Sequence, residues 1–401
     1  MNTLEVQAKN YIDRLKSNDL YRDFISVDKN CEKGIYAEIL VENEIKNVLI
    51  WCSNDYLGMS KNEEVISSMK SSLEKYGAGS GGSRNIGGTN TLCLQLELCI
   101  AAWYRKDASL CFPTGFSANE HSIQAISKLH PNTVYFSDSL NHASLINGIL
   151  STGCKKEIFN HNDTEHLDEL LSKYDNNFNK IIVFESLYSM DGDFSPISDI
   201  VNIARKHNAI TFLDEVHAVG IYGEDGAGLA SMFNVLSDID IIQGTMAKSI
   251  GLIGGFIAGN SSIIDAIRSL SRGFIFTTSL PPSIIQGCLT SISIIKRDSS
   301  RRNKLMENTE NLKKSLDQRK IQYLNNNGSH IIPIIIGNSK NCKKISSYLL
   351  TQKNIYIPPI FFPTVPEGTA RLRVCASPFH SADNIEYLCD SIKSAFSHIQ
   401  S

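Results

Sequence analysis

The sequence predicts an α/β fold with a large, mostly parallel sheet domain and a smaller α+β domain at the C-terminal end. Three observations predict it. Short apolar runs near 133–136, 180–184, 209–213 and 239–242 alternate with helical patterns such as 163–173 and 195–206, as in right-handed crossovers of a parallel sheet. The runs break off in polar residues and glycine, the mark of strands buried on both faces that end at one ligand-binding edge. Beyond 274–282 the pattern changes to a long helical region, 283–318, then short strands near 330–335 and 370–374 and a last helix near 382–398. The expected organisation is an N-terminal helix with short strands over 1–55, the large domain over 56–290 and the small domain over 291–401.

In chain order, Leu4, Ala8, Tyr11 and Leu15 fall at helical spacing and predict an amphipathic helix over 3–17. Arg22, between Tyr21 and Phe24, reads locally as a surface packing element. Strands are expected near 34–41 and 47–52, ending at the polar turn 53–58, and a helix near 63–76. The glycine-rich 77–85 stretch contains a formal GxGxxG, but a helix precedes it where a dinucleotide site needs a strand, so it predicts a loop passing close to something. The basic cluster Arg297, Arg301, Arg302 and Lys304 reads as a solvated helix face, and Asn325-Asn326-Asn327-Gly328 as a turn.

Composition narrows the function classes. The 401 residues are 42% hydrophobic and 20% charged, with a formal net charge of −3, so neither nucleic acid nor a membrane surface is an expected partner. Ten scattered cysteines, with no CxxC and no short Cys/His pairs, predict reduced thiols of a cytoplasmic protein and no metal site. No apolar run reaches the roughly 20 residues of a membrane helix, and the first residues lack signal-peptide order. The N-x-S/T matches at Asn162, Asn260 and Asn327 are then chance occurrences.

The chemistry converges on strand ends. Thr114, Gly115 and Phe116 follow one apolar run and open a helical stretch, the arrangement in which helix N-terminal amides hold a phosphate. Other ends supply Asn141 and His142, Glu185 and Ser189, Asp214 and His217, and Thr245 and Lys248. A carboxylate for a protonated pyridine nitrogen and a lysine for an aldehyde are what pyridoxal phosphate (PLP) requires of its protein. Asp214 and Lys248 alone equally admit a turn carboxylate and a solvated lysine. With an aromatic ring to stack and hydroxyls and amides for a phosphate, the set predicts a PLP enzyme of fold type I, the aspartate-aminotransferase-like class.

At these residues the chain resembles the α-oxoamine synthases and, more narrowly, their 5-aminolevulinate synthase branch. The resemblance runs from about Tyr21 to the last helix and is carried by long runs: 51–59, 77–86, 140–144, 184–186 with 188–193, 214–223 and 361–366. It implies a homodimer condensing glycine with succinyl-CoA to 5-aminolevulinate, CoA and carbon dioxide for tetrapyrrole and heme synthesis. In that resemblance Lys248 carries the cofactor and moves the Cα proton, Asp214 keeps the ring nitrogen protonated, His142 stacks on the ring and His217 bonds its phenolic oxygen. Thr114, Gly115, Phe116, Ser189 and Thr245 complete the cofactor set, and Thr277 and Thr278 reach the phosphate from the other subunit. Substrate contacts fall on Arg22, Asn54, Ser137, Lys156 and Thr364, with Ser83, Asn85 and Ile86 around the acyl chain and Arg373 on the amino-acid carboxylate. Arg22 is thereby assigned to the succinyl carboxylate. The chain departs from the branch at Ser83, where threonine is usual, at Gly87 and in Thr245-Met246-Ala247-Lys248, and Thr114-Gly115-Phe116 is nearer the 8-amino-7-oxononanoate branch. A related synthase with another acyl-CoA or a specialised pathway is the alternative, and a catalytically silent PLP-fold scaffold the third.

Overall fold

A computed structural model describes residues 2–31, 34–41, 43–324 and 328–400. The expected 325–328 turn and the Asn327 match lie largely outside the described residues. The chain forms two compact units. One comprises the chain up to Ser53, Met190–Gly192 and the chain from Asn303 on; the other comprises Asn54–Ser189 and Asp193–Arg302.

The larger unit is built on a sheet whose described strands run, edge to edge, Ala108–Phe112, Gly255–Gly259, Ile241–Thr245, Ile210–Asp214, Asn179–Glu185, Thr133–Asp138 and Lys155–Phe159. Gly255–Gly259 is antiparallel to both neighbours and the remaining pairs are parallel, so the mostly parallel α/β expectation is met. The central strands are buried along nearly their whole length, which is why they read as continuous apolar runs. Leu110, Phe112, Ile123, Tyr135, Val183, Phe212 and Ile257 belong to the core against which the helices pack. Register decides what meets at the carboxyl edge: Glu185 lies opposite Asp214, and Asp214 opposite Gln243.

Two strands of this sheet were not legible. Lys155–Phe159 is an edge strand with three charged residues, exposed over most of its length, so it carries no apolar run. Gly255–Gly259 opens and closes on glycine, which disguises a fully buried strand. A side chain at Gly255 would strike the Thr114 carbonyl and the Gly115 backbone, so its absence lets the 113–116 turn close over the sheet end.

The 283–318 helical region divides into Pro282–Arg297 and Ser300–Gln318, with Asp298 Oδ1 accepting from the Ser300 amide at 2.8 Å. The solvated-face reading of the basic cluster is corrected at Arg302. That side chain is buried and donates to the carbonyls of Ile295 and Glu224.

The smaller unit holds a sheet ordered Val27–Asp28, Tyr36–Val41, Glu44–Ile50 and Ile355–Tyr356, and a second ordered Ile331–Gly337, Ala370–Cys375 and Pro359–Ile360. Alternation in Tyr36–Val41 places Ala37, Ile39 and Val41 inward against Val48, Ile50 and Leu350. The helix Thr3–Ser17 matches its predicted span and is closed by an Asn2/Glu5 capping box.

Candidate active site

Asp214 ends its strand and is 2% exposed. Its Oδ1 accepts from the Val216 amide at 2.9 Å and its Oδ2 from Asn119 Nδ2 at 2.7 Å, while Asn119 also donates to Ser144 Oγ at 3.0 Å. Burial pushes the carboxyl up; those two donors and the nearby His142 and Lys248 act to keep it charged. Neighbouring Glu185 accepts from the His142 amide at 2.6 Å on Oε1, and its Oε2 is buried without a partner. Burial and then the Asp214 charge push Glu185 well above the carboxylate range. Of two carboxyls at adjacent strand ends, Glu185 is therefore pushed up further than Asp214, which its two donors and the neighbouring charges hold back. Neither Asn119 nor the state of Glu185 was legible in sequence. Asn119 lies one helical turn after Gly115, and that spacing is its only local signal.

Lys248 is half-buried in the turn after Ile241–Thr245, and its carbonyl accepts from the Gly251 amide at 2.8 Å. Its charge acts on Asp214, Glu185 and His142. His142 precedes the helix Ala143–Thr152 and caps it, Nδ1 accepting from the Ser144 amide at 3.2 Å. That bond leaves the proton of a neutral ring on Nε2. Burial lowers the His142 pKa, Asp214 raises it and Lys248 lowers it, with a net downward shift. Phe116 stands edge-on to the His142 ring at 6.2 Å.

Thr114 caps the helix Gly115–Ile126, its Oγ1 accepting from the Ser117 amide at 3.0 Å, so the first-turn amides of Gly115 and Phe116 face outward as anion donors. A Cβ on Gly115 would sit 3.1 Å from Thr245 Oγ1, so glycine permits this close approach. The Thr245 hydroxyl donates to the Gly254 carbonyl at 2.9 Å. His217 is 5% exposed, and its Nδ1 lies 2.7 Å from Tyr56 Oη, which donates onward to Asn54 Oδ1 at 3.2 Å. Tyr56 is a second partner that only the structure supplied. Ser189 is half-buried at the start of the 189–193 excursion.

Ser83 bridges to Thr278, beside Thr277, and the Ser279 amide donates to the Gly82 carbonyl at 3.0 Å. Asn85 and the 77% exposed Ile86 occupy the turn after Ser83. Ser137 is buried, accepting from Asn141 Nδ2 at 2.9 Å, and Lys156 is exposed on the edge strand. Within the smaller unit, Arg22 Nη2 donates to Thr364 Oγ1 at 3.1 Å and to the carbonyls of Phe361 and Phe362, with its guanidinium 5.0 Å from the Phe361 ring centre. Arg373, 7% exposed on Ala370–Cys375, directs Nη1 to Cys375 Sγ at 3.4 Å. Among the described residues no helix is long and apolar enough to cross a membrane, and no group of His, Cys, Asp and Glu could hold a metal.

A buried, doubly anchored carboxylate, a half-buried lysine, a histidine at the crevice and a capped helix N-terminus with no side chain at Gly115 fit PLP. The comparisons agree. The family model described as aminotransferase class I and II matches residues 46–392. A serine palmitoyltransferase from S. paucimobilis, solved with PLP and myriocin bound, superposes with a TM-score of 0.92 at 26% identity, covering 100% of both chains. That of Sphingomonas wittichii gives 0.90 at 27%, covering 100% of this chain and 98% of the other. Fold and site define a PLP-dependent transferase. The 5-aminolevulinate synthase of Rickettsia bellii is 47% identical over 96% of this chain and 92% of its own. That of Bradyrhizobium diazoefficiens is 41% identical over 95% and 93%. The chain belongs to the 5-aminolevulinate synthase family.

Proposed function

We propose that the protein condenses glycine with succinyl-CoA, releasing 5-aminolevulinate, CoA and carbon dioxide, as a cytoplasmic homodimer that feeds heme synthesis. PLP, when bound, supplies the sink for the electrons freed at the glycine Cα. The residues do the rest. Asp214, whose carboxyl is pushed up less than that of Glu185, would hold the proton on the pyridine nitrogen, with Asn119 and the Val216 amide keeping its carboxylate aimed. His142 would support the cofactor ring, and His217, fixed by Tyr56, would bond its phenolic oxygen. Thr114, with the Gly115 and Phe116 amides, receives the phosphate, while Ser189 and Thr245 line the cofactor and Thr277 and Thr278 serve the partner subunit's phosphate.

Lys248 would anchor the cofactor, and its Nζ would take the glycine Cα proton. Arg373 accepts the glycine carboxylate with its planar fork. Ser83, Asn85 and Ile86 surround the acyl chain, and Asn54, Ser137 and Lys156 meet the acyl-CoA. The observation that carries the choice of succinyl-CoA is the Arg22–Thr364 pair, an arginine held by a hydroxyl and two carbonyls with donors left for a carboxylate.

The test is product identification from purified protein given glycine and succinyl-, butyryl- and octanoyl-CoA. Aminolevulinate from succinyl-CoA at the highest kcat/KM supports the reading, and preference for an uncharged acyl group overturns it. Ser83 favours one extension, tolerance of larger acyl groups beside succinyl. A threonine methyl there is worth about 1 kcal/mol, so Ser83→Thr narrows the range only modestly.

A further inference from the structure

A polar cluster in the larger unit joins the ends of two neighbouring strands to the excursion that follows a third. His161, two residues past Lys155–Phe159, places Nδ1 2.9 Å from Asp138 Oδ1 and Nε2 2.8 Å from Asp193 Oδ2. A ring bonded at both nitrogens to carboxylates donates from both, and only the imidazolium does so. Burial works against that charge, but the hydrogen bonds from Asp138 and Asp193 outweigh it and lift the pKa to about 10. Asn162 doubles the link, its amide donating to Asp138 Oδ2 at 3.0 Å and its Nδ2 to Asp193 Oδ2 at 2.8 Å. Asp193 Oδ1 is buried without a partner, a cost that an adjacent positive charge offsets. Tyr188 stands edge-on to the ring at 4.4 Å; with Asp138 and Asp193 it supplies the titratable groups at His161.

Each carboxylate governs one segment of the site. Asp138 Oδ1 also accepts from the Leu140 amide at 2.8 Å, and its carbonyl from the Asn141 amide at 3.2 Å, shaping the turn that ends at His142. The Asp193 carbonyl accepts from the Tyr188 amide at 3.1 Å, and Leu187 bridges to Phe194, closing the excursion on which Ser189 sits.

We propose that His161 is a positioning residue: a doubly bonded imidazolium that ties the 138–142 turn, carrying His142, to the 186–195 excursion, carrying Ser189, and so aligns both groups toward the cofactor. This rests on the reading of His142 and Ser189 as cofactor contacts. None of its chemistry depends on which acyl-CoA is used.

Two measurements need no substrate. Imidazole NMR of the wild-type protein should show His161 charged through pH 9, and a ring that loses its proton below pH 8 overturns the proposal. His161→Leu should weaken PLP binding about tenfold, the weight of a lost charged hydrogen bond, and lower amide-exchange protection at 139–142 and 188–194 while the central strands keep theirs. His161→Gln, retaining one donor, should recover part of both. With glycine as substrate, the same variants should lose kcat more than they raise KM. Unchanged PLP affinity and protection, or a loss of protection spread evenly over the sheet, overturns the assignment and leaves a general structural residue. Failure of the succinyl-CoA reading would instead appear only in product identification.

Discussion

Glu97 and Asp214 are both withdrawn from water in the larger unit, yet they are finished differently. Glu97 takes both prongs of Arg84, at 2.7 and 3.0 Å, and the Cys111 amide at 3.1 Å, so its charge is cancelled inside the protein. Asp214 is anchored by two neutral donors, with Lys248 and His142 acting from nearby. A fully matched buried pair holds structure and has nothing to offer a ligand. A carboxylate steadied by dipoles retains charge for an incoming cation, such as a protonated pyridine nitrogen. Glu215, next in sequence, also has only neutral donors, the Ser186 hydroxyl and the Leu229 and Ala230 amides, but it is fully buried and serves the fold.

Substitutions at the site and away from it should separate these two kinds of carboxylate. Lys248→Ala should leave melting within a few degrees of wild type but cut kcat by about 10⁴-fold, the upper range for a lost general base. Near-normal aminolevulinate formation would remove the lysine from the chemistry. Asp214→Asn should cost about 10²–10³-fold in kcat, as other deletions of a preorganised charge do. Asn119→Ala should follow at about tenfold, from one lost hydrogen bond to a charged group; steady-state kinetics with saturating PLP reads both. An Asp214→Asn protein within a few-fold of wild type would mean the ring nitrogen faces elsewhere.

Glu97→Ala should act on stability instead, lowering it by about 2 kcal/mol in urea because the half-buried Arg84 loses its bidentate partner and keeps only the Thr89 hydroxyl, with kcat per folded molecule nearly unchanged. A loss of kcat without a loss of stability would reverse the roles given to the two carboxylates.

The smallest expected effect is one of pH. Burial raises Glu215 to about 7, against which the Ala230, Ser186 and Leu229 donors act. A carboxyl raised in the folded state binds its proton more tightly there than in the unfolded chain. Its contribution is full below about 4.5 and is lost as pH rises toward 7, on the order of 3 kcal/mol. His161 adds in the same direction between about 6.5 and 10. Urea midpoints at pH 5 and pH 8 should therefore differ less in Glu215→Gln than in wild type, and an equal difference would discard the buried-proton account.

Much of this was legible because its causes are local. The helix Glu63–Tyr76 matches its expected span: Asn62 Oδ1 accepts from the Glu64 and Val65 amides, and Gly77 ends it at a φ of +79°. The run to Asp214 reads as a strand because both of its faces are buried, and the polar break after it marks the edge where a ligand binds. Arg302 and Lys155–Phe159 read wrongly or not at all for the converse reason. A charged residue looks the same in sequence whether it is solvated, capping two carbonyls or lying along a sheet edge.

The α/β class, the strand ends that carry Asp214, His217 and Lys248, and the long runs that mark the family are all written in the order of residues. Strand order and register, which set Glu185 against Asp214, came only with the folded chain. Folding also supplied Asn119 to Asp214 across 95 residues and Tyr56 to His217 across 161. Helical and strand patterns are written by neighbours within a few residues. A bond across a hundred is set by which strands pair, and that is chosen by the burial of the whole sheet rather than by any stretch of it.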